Sequence, residues 1–258
     1  MLQVYRIPAF QDNYIWLLVN PKTKRGVVVD PGDATPVLAT IQENNITLAD
    51  ILITHHHADH TGGIAELLAH TKIPVYGCYR EPIQHLSHPL KEQDLLTLTA
   101  LEITFKILEI PGHTLGHIAY WGDGKLFCGD TLFTGGCGRI FEGTATQMLS
   151  SLTKLKNLPD DTLVYCGHEY TEANLRFALT VEPHNQKILQ RYNTVKEERS
   201  DGKATVPSPL SLELETNPFL RTHIPEVKKA AESYSGTALS NETDIFAVIR
   251  NWKNNFSY

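Results

Sequence analysis

Directly after the apolar run Ile51-Leu52-Ile53 the chain reads THHHADHTGG, from Thr54 to Gly63, and no other stretch limits its fold so tightly. Alternate side chains of a strand share a face, so His55 and His57 leave a strand end pointing one way while His56 points away. Asp59 and His60 then turn onto a second direction. Gly62-Gly63 lead into Ile64, Leu67 and Leu68 at helical spacing, so a strand must deliver the motif and a helix must carry the chain off. A solvated histidine tract that binds metal only by accident has no need of either neighbour. His55, His57, Asp59 and His60 are more donors than one tetrahedral ion can use while keeping a position open for water and substrate. The spacing points to a pair of ions that share ligands.

Three later segments repeat one device, an apolar strand-like run, a glycine, then a metal-competent residue. They are ITFKILEIPGH ending at His113, KLFCGD ending at Asp130 and TLVYCGH ending at His168. Glycine at 112, 129 and 167 lets the chain turn sharply where a strand stops and aim the next side chain into a cleft. For any one of these residues a hydrogen-bonded histidine or a turn aspartate is an equally good account. Three in the same context, beside HxHxDH, favour ligands lining one edge of a sheet.

The order HxHxDH, GHT, GD, GHEY resembles the metallo-β-lactamase superfamily and, within it, the glyoxalase II family of hydroxyacylglutathione hydrolases. The match runs through Asp12-Asn13-Tyr14, Val29-Asp30-Pro31-Gly32, Gly136-Cys137-Gly138-Arg139 and Gly167-His168-Glu169-Tyr170 to Arg250 and Lys253, nearly the whole chain. The resemblance implies that His55, His57 and His113 hold one metal, that Asp59, His60 and His168 hold the other, and that Asp130 bridges both. It also implies that Arg139, Tyr170, Arg250 and Lys253 grip glutathione. Phe141 stands where some members have tyrosine, which would remove one hydroxyl contact. Arg250 and Lys253, spaced i, i+3 on a terminal helix, would without the family read equally well as a solvated face.

Composition agrees with a soluble enzyme. The 258 residues suffice for a large core plus a small second unit, and a formal charge of -6 without blocks of like charge leaves no nucleic-acid footprint. MLQVYRIPAFQDNY lacks a basic start and a long apolar stretch, and no run approaches the roughly 20 apolar residues that span a bilayer. A cytosolic monomer without membrane contact is expected. Cys78, Cys128, Cys137 and Cys166 lack CxxC spacing and read as buried thiols. The glycine cluster at 135–138 lacks P-loop spacing and reads as a tight turn.

Up to about His168 short strands predominate: 4–7, 14–19, 26–29, 51–53, 101–110, 118–121, 126–128 and 163–166. Gly122-Asp123-Gly124 signals a hairpin. Helices are expected from Thr35-Pro36, after Gly63, and from Thr144 to Lys156. This mixture fits a four-layer αββα sandwich over 1–170. From 171 to 258 helices are expected over 172–179, 183–198, 225–233 and 244–254, with an aperiodic connection over 200–218. That tail reads as a small helical substrate-binding domain.

Two ions sharing Asp130 and a water would bring that water's pKa toward neutrality and supply hydroxide, oriented by Asp59, for attack on a thioester carbonyl. One ion would hold the developing oxyanion. A thiolate whose thiol has a pKa near ~8.5 departs without a dedicated acid, whereas an amine would need a proton donor. The expected reaction, implied by the resemblance, is hydrolysis of S-D-lactoylglutathione and related 2-hydroxyacylglutathiones, the second step of methylglyoxal detoxification. Zinc is the expected metal, and iron and manganese suit the same donors. The competing reading is a persulfide dioxygenase or another hydrolase of the fold; persulfide dioxygenases lack the GHEY histidine and the helical tail. His70, His85, His88, His184 and His223 have no ligand context, while His117 and Asp30 are candidates to support ligands from behind.

Overall fold

The histidine motif sits where parallel strands end. The computed structural model describes residues 2–256, and the chain divides into two units, Met1–Glu109 with Leu115–Gly129 and Ile110–Thr114 with Asp130–Tyr258. The division follows packing, so the segment 110–114 joins the second unit. The sequence instead changes character near 170.

In the first unit β1 (Gln3–Ala9), β2 (Asn13–Val19), β3 (Arg25–Val29), β4 (Thr47–Leu52), β5 (Val75–Cys78) and β6 (His88–Leu90) form a sheet in chain order. The first three strands are antiparallel, and β3 to β6 run parallel. Parallel neighbours need crossovers. Here they are α1 (Ala34–Glu43), capped by the Asp33 side chain on Thr35 N, and the pair α2 (Ala58–Thr61) and α3 (Ile64–His70). Val29 pairs with Leu52, so Asp30 and Thr54, just beyond, emerge on one edge. Carboxyl ends of parallel strands are where open α/β sheets place ligands. Ile15, Leu17, Val28, Ile51 and Ile53 pack with Ile64 and Leu67 of α3 in one core. Ile53 is fully buried, so truncating it to Ala would cost about 2–5 kcal/mol and loosen the base of the motif.

The remaining strands of this unit, β7 (Leu95–Leu98), β8 (Ile103–Glu109), β9 (Ile118–Gly122) and β10 (Lys125–Gly129), form an antiparallel meander. The expected hairpin is present. Gly122 pairs with Lys125 while Asp123 (φ 49°) and Gly124 (φ 67°) are both left-handed, as a two-residue I′ turn requires. Buried Tyr120 of β9 donates its hydroxyl to the carbonyl of Ile53 at 2.8 Å and fixes the strand end that launches the motif.

The second unit begins with two short strands, β11 (Leu132–Phe133) and β12 (Gly136–Cys137), paired around the glycine cluster. Helix α4 (Ala145–Lys156) starts at a full capping box, Thr144 with Gln147. β13 (Leu163–Cys166) pairs antiparallel with β14 (Ser208–Pro209). The helices α5 (Thr171–Val181), α6 (Gln186–Ser200), α7 (Leu210–Thr216), α8 (Pro225–Ser235) and α9 (Glu242–Asn254) follow.

Several expectations need correction. β4 starts four residues before Ile51, and β5, β6 and β7 were not anticipated. α6 starts after Asn185, whose side chain accepts from Lys187 N and Ile188 N, and not at Pro183. The connection expected to be aperiodic over 200–218 contains α7. Among the described residues no helix is long and apolar enough to cross a membrane.

Candidate metal centre

Each unit carries its own set of donors. In the first, β4 ends at Leu52 and the chain passes through a bend at Thr54 to His57, which occupies the N-cap position of α2 without a side-chain cap. His55 is fully buried, with Nε2 3.1 Å from His57 Nδ1. His56 is held by Glu81 through both its N–H and its ring, with the ring edge-on to His57 at 5.1 Å. Asp59 and His60 lie on α2, with His60 Nε2 3.5 Å from Asp59 Oδ2. Asn13, at the start of β2, donates its amide to that same Asp59 oxygen at 2.9 Å.

Buried Asp30 decides which histidine nitrogens carry protons. Its Oδ1 accepts the N–H of Thr54 at 2.8 Å and its Oδ2 accepts the Thr54 hydroxyl at 2.7 Å. A hydroxyl that donates to a carboxylate keeps its lone pairs for others, so Thr54 Oγ1 accepts from His55 Nδ1 at 3.0 Å. Asp30 Oδ2 also lies 3.0 Å from His60 Nδ1. A carboxylate can only accept, so His55 and His60 are protonated on Nδ1 and turn the lone pair of Nε2 outward, the tautomer a metal needs. Asp30, His55 and His60 bring donor atoms within 4.8 Å. Because its oxygens are engaged by Thr54 and His60, Asp30 supports the histidines from behind. Its backbone is left-handed at φ 52°, a local strain of about 1–3 kcal/mol.

In the second unit His113 follows Gly112, whose φ of 155° lets the chain pass Met148 of α4 where a Cβ would stand 2.8 Å from that side chain. His113 Nδ1 is 2.8 Å from the carbonyl of Arg139, which again directs the proton to Nδ1. Its Nε2 lies 3.5 Å from Asp130 Oδ2, and His168 Nε2 lies 3.3 Å from the same oxygen. One carboxylate oxygen thus faces two imidazole nitrogens, the pose of a shared ligand. His168 stacks on Tyr170 at 4.8 Å and 5°, and the Cys166 thiol donates to the His168 carbonyl at 3.4 Å. Burial pushes the Cys166 thiol up to about 12, which keeps it a protonated donor. Gly167 lies in a bend directly after β13, the turn expected there, while Gly112 and Gly129 are the two of these three glycines with positive φ.

The donor sets fit divalent metal. Ligands at about 2.0–2.2 Å from a tetrahedral ion are separated by about 3.4 Å, and the facing pairs in the two units lie at 3.1, 3.5, 3.5 and 3.3 Å. Neutral imidazole with carboxylate suits zinc, iron and manganese alike.

The substrate candidates all fall in the second unit. Arg139 and Phe141 are exposed, Phe141 at 62% with its ring edge-on to His113 at 5.2 Å. The loop carrying them is sealed at Gly138, where a Cβ would collide with the carbonyl oxygen of Asp130. Arg250 is not on a solvated face. It is 6% exposed, its Nη1 donates to the Cys137 carbonyl at 2.6 Å, and its guanidinium lies 5.0 Å over the Phe219 ring. Its Nε–H is buried with no acceptor among the described residues. Lys253, one turn on, donates to the Ala173 carbonyl at 3.2 Å; burial, then the neighbouring Arg250, lower its pKa to about 8. All four cysteines are buried thiols outside any disulfide, as the sequence suggests. His117 lies parallel to His55 at 4.6 Å and 15°. Thr54 and Glu81 escape sequence reasoning; a hydroxyl directly before the first ligand was the one available signal.

Residues 10–168 match the metallo-β-lactamase superfamily model and residues 169–256 match the hydroxyacylglutathione hydrolase C-terminus. The chain is 51% identical over 256 residues to the hydroxyacylglutathione hydrolase of Nitrosomonas eutropha, covering 99% of this chain and 100% of that one. It is 52% identical over 253 residues to the hydroxyacylglutathione hydrolase of Alkalilimnicola ehrlichii, covering 98% and 99%. Among solved structures, ETHE1 from Myxococcus xanthus superposes with a TM-score of 0.68 at 23% identity, covering 98% of this chain and 91% of that one, a likeness of fold alone.

Proposed function

Because this chain belongs to the hydroxyacylglutathione hydrolase family of the metallo-β-lactamase superfamily and shares its fold, we propose that it hydrolyses S-D-lactoylglutathione and related hydroxyacyl thioesters to the acid and glutathione. The observation that carries this is the match of the C-terminal model over 169–256, beside a complete donor set in the preceding residues.

His55, His57 and His113 are assigned to one ion and Asp59, His60 and His168 to the other, trios of donors suited to holding metal, with Asp130 shared. When bound, the ions lower the pKa of water toward neutrality and act as Lewis acids toward a developing oxyanion. The chain does the rest. Asp30 holds His55 and His60 in the ligating tautomer. Asn13 orients Asp59. Arg139, Tyr170, Arg250 and Lys253, with Phe141 alongside, are assigned to the glutathione part of the substrate, and the buried Arg250 Nε–H supports a carboxylate there. The thiolate leaving group needs no proton donor, so a site without a dedicated acid suits a thioester. Zinc as native metal, a cytosolic address, a monomeric state, residues 171–258 as substrate-binding domain and a place in methylglyoxal detoxification belong to the same proposal.

Assaying purified protein on S-D-lactoylglutathione, with metal analysis of the same sample, tests it. Release of free thiol without oxygen uptake, from protein with two ions per chain, is expected. Oxygen uptake on glutathione persulfide with thioesters untouched would replace the hydrolase by a dioxygenase.

A further inference from the structure

The loop between β5 and β6 supplies a carboxylate that the proposed chemistry does not use. The Glu81 side chain is 1% exposed, a place where a carboxylate is kept only if fully hydrogen-bonded. Its Oε2 accepts the main-chain N–H of His56 at 2.8 Å and also contacts His56 Nδ1, while its Oε1 accepts the N–H of Gly116 at 2.8 Å. His56 is the residue between the donors His55 and His57. Gly116 directly precedes His117, the imidazole that stacks on His55. Any side chain at 116 would put a Cβ 2.7 Å from Glu81 Oε1, so that segment is glycine where it meets the carboxylate.

We propose that Glu81 is a positioning residue: by gripping His56 it fixes the separation of His55 and His57, and it thereby sets the affinity of the ion those two histidines hold. One carboxylate seizes both the peptide N–H and the ring of His56, which fixes the orientation of the peptide unit joining it to His55. Freeing it lets the two flanking donors drift apart. Its other oxygen accepts from the residue before His117, so the main chain following His55 and the segment carrying the ring stacked on His55 meet at one carboxylate. Asp30 decides which nitrogen is protonated; Glu81 decides where the main chain runs. The inference rests on the two-ion reading above.

The test is Glu81→Gln in the full chain, nearly isosteric but with one acceptor oxygen replaced by an amide that donates. Zinc occupancy is measured across a series of free-zinc concentrations set by a competing chelator, and the thermal midpoint of metal-free protein is measured alongside. Outer-shell partners typically contribute 10–100-fold to metal affinity. Expected is a weakening of that order for one ion, the other staying within about threefold, with the metal-free midpoint close to wild type. Cobalt-loaded protein should show the shifted imidazole resonances of His55 and His57 disappearing first. Gly116→Ala, which pushes on the same carboxylate from its other side, should weaken the same ion. Unchanged affinities in Glu81→Gln, or a parallel loss of both ions together with a lower metal-free midpoint, would overturn the proposal. Wild type binding fewer than two ions at saturation would instead strike the two-ion reading itself.

Discussion

The two units hold their donors by different means. In the first, the histidines lean on buried carboxylates, Asp30 beneath His55 and His60 and Glu81 beneath His56. In the second, the corresponding groups lean on the main chain: His113 on the Arg139 carbonyl, Arg250 on the Cys137 carbonyl and Lys253 on the Ala173 carbonyl. A carboxylate behind an imidazole raises its basicity and fixes its tautomer, as a metal ligand needs. A carbonyl behind a cation orients it without cancelling its charge. His113 therefore keeps its tautomer without a carboxylate, and Arg250 and Lys253 keep their charge uncancelled by an acidic partner among these contacts.

The largest effect should come from breaking the donor sets themselves. His168→Ala should lower bound metal from two ions toward one and cut hydrolysis on the order of 10³-fold, since a Lewis acid supplies several kcal/mol to the barrier; double occupancy with normal turnover would sink the assignment. Removing a carboxylate from behind the ligands should cost less. Asp30→Asn should weaken metal binding 10–100-fold, because an amide has one acceptor oxygen and cannot serve the Thr54 N–H at one end together with the Thr54 hydroxyl and His60 at the other. Competition with a chelator would read this, and an unchanged affinity would mean that the tautomers are set otherwise.

Removing the carbonyl-held cations should spare the metals altogether. Arg250→Ala with Lys253→Ala is expected to raise KM for the glutathione thioester roughly tenfold or more, with kcat falling less and metal content unchanged. A small acyl thioester without the peptide should be indifferent. Unchanged KM on the glutathione substrate would return both residues to a purely structural role.

The smallest effect is a pH dependence. With a folded-state pKa near 8 against 10.5 for the free side chain, Lys253 carries its charge below about 8 and loses it above. KM for the glutathione substrate should therefore climb a few-fold as pH rises through 8. Stability moves the other way: between about 8 and 10.5 the unfolded chain binds a proton that the native chain does not, so stability rises with pH across that window. Lys253→Met should flatten both profiles, and persistence of either in that variant would assign it to another group.

What could be read from sequence was what nearby residues determine. The HxHxDH run, the Asp123-Gly124 turn and the Thr144 cap each depend on contacts within a few residues, and each sits in the structure where its local chemistry puts it. Helix α7 was missed for the opposite reason. Its buried Glu213 accepts from Gly135 N at 2.7 Å, from Ser208 at 2.7 Å and from Arg191, so a charged side chain faces inward and spoils the apolar period. The start of α6 was misplaced because Pro183 and Asn185 are both start signals and only the hydrogen-bond geometry picks the asparagine. Glu81 was invisible because its partners are 25 and 35 residues away. The ligand types were plain in the sequence; the groups that orient them were not, since these come from loops that approach only in the folded chain.

The seal at Gly138 has a consequence for anyone wishing to change what the enzyme accepts. Within one loop, mutational tolerance should switch abruptly. Arg139 and Phe141 expose their side chains and Ile140 is half-buried, so a randomised library over 139–141 can explore size and charge while the loop keeps its course. A single methyl at 138 would instead drive the Asp130 carbonyl aside, displacing the carboxylate that faces both His113 and His168. Variation one residue earlier than 139 would therefore yield inactive protein, where variation from 139 onward would yield altered preference.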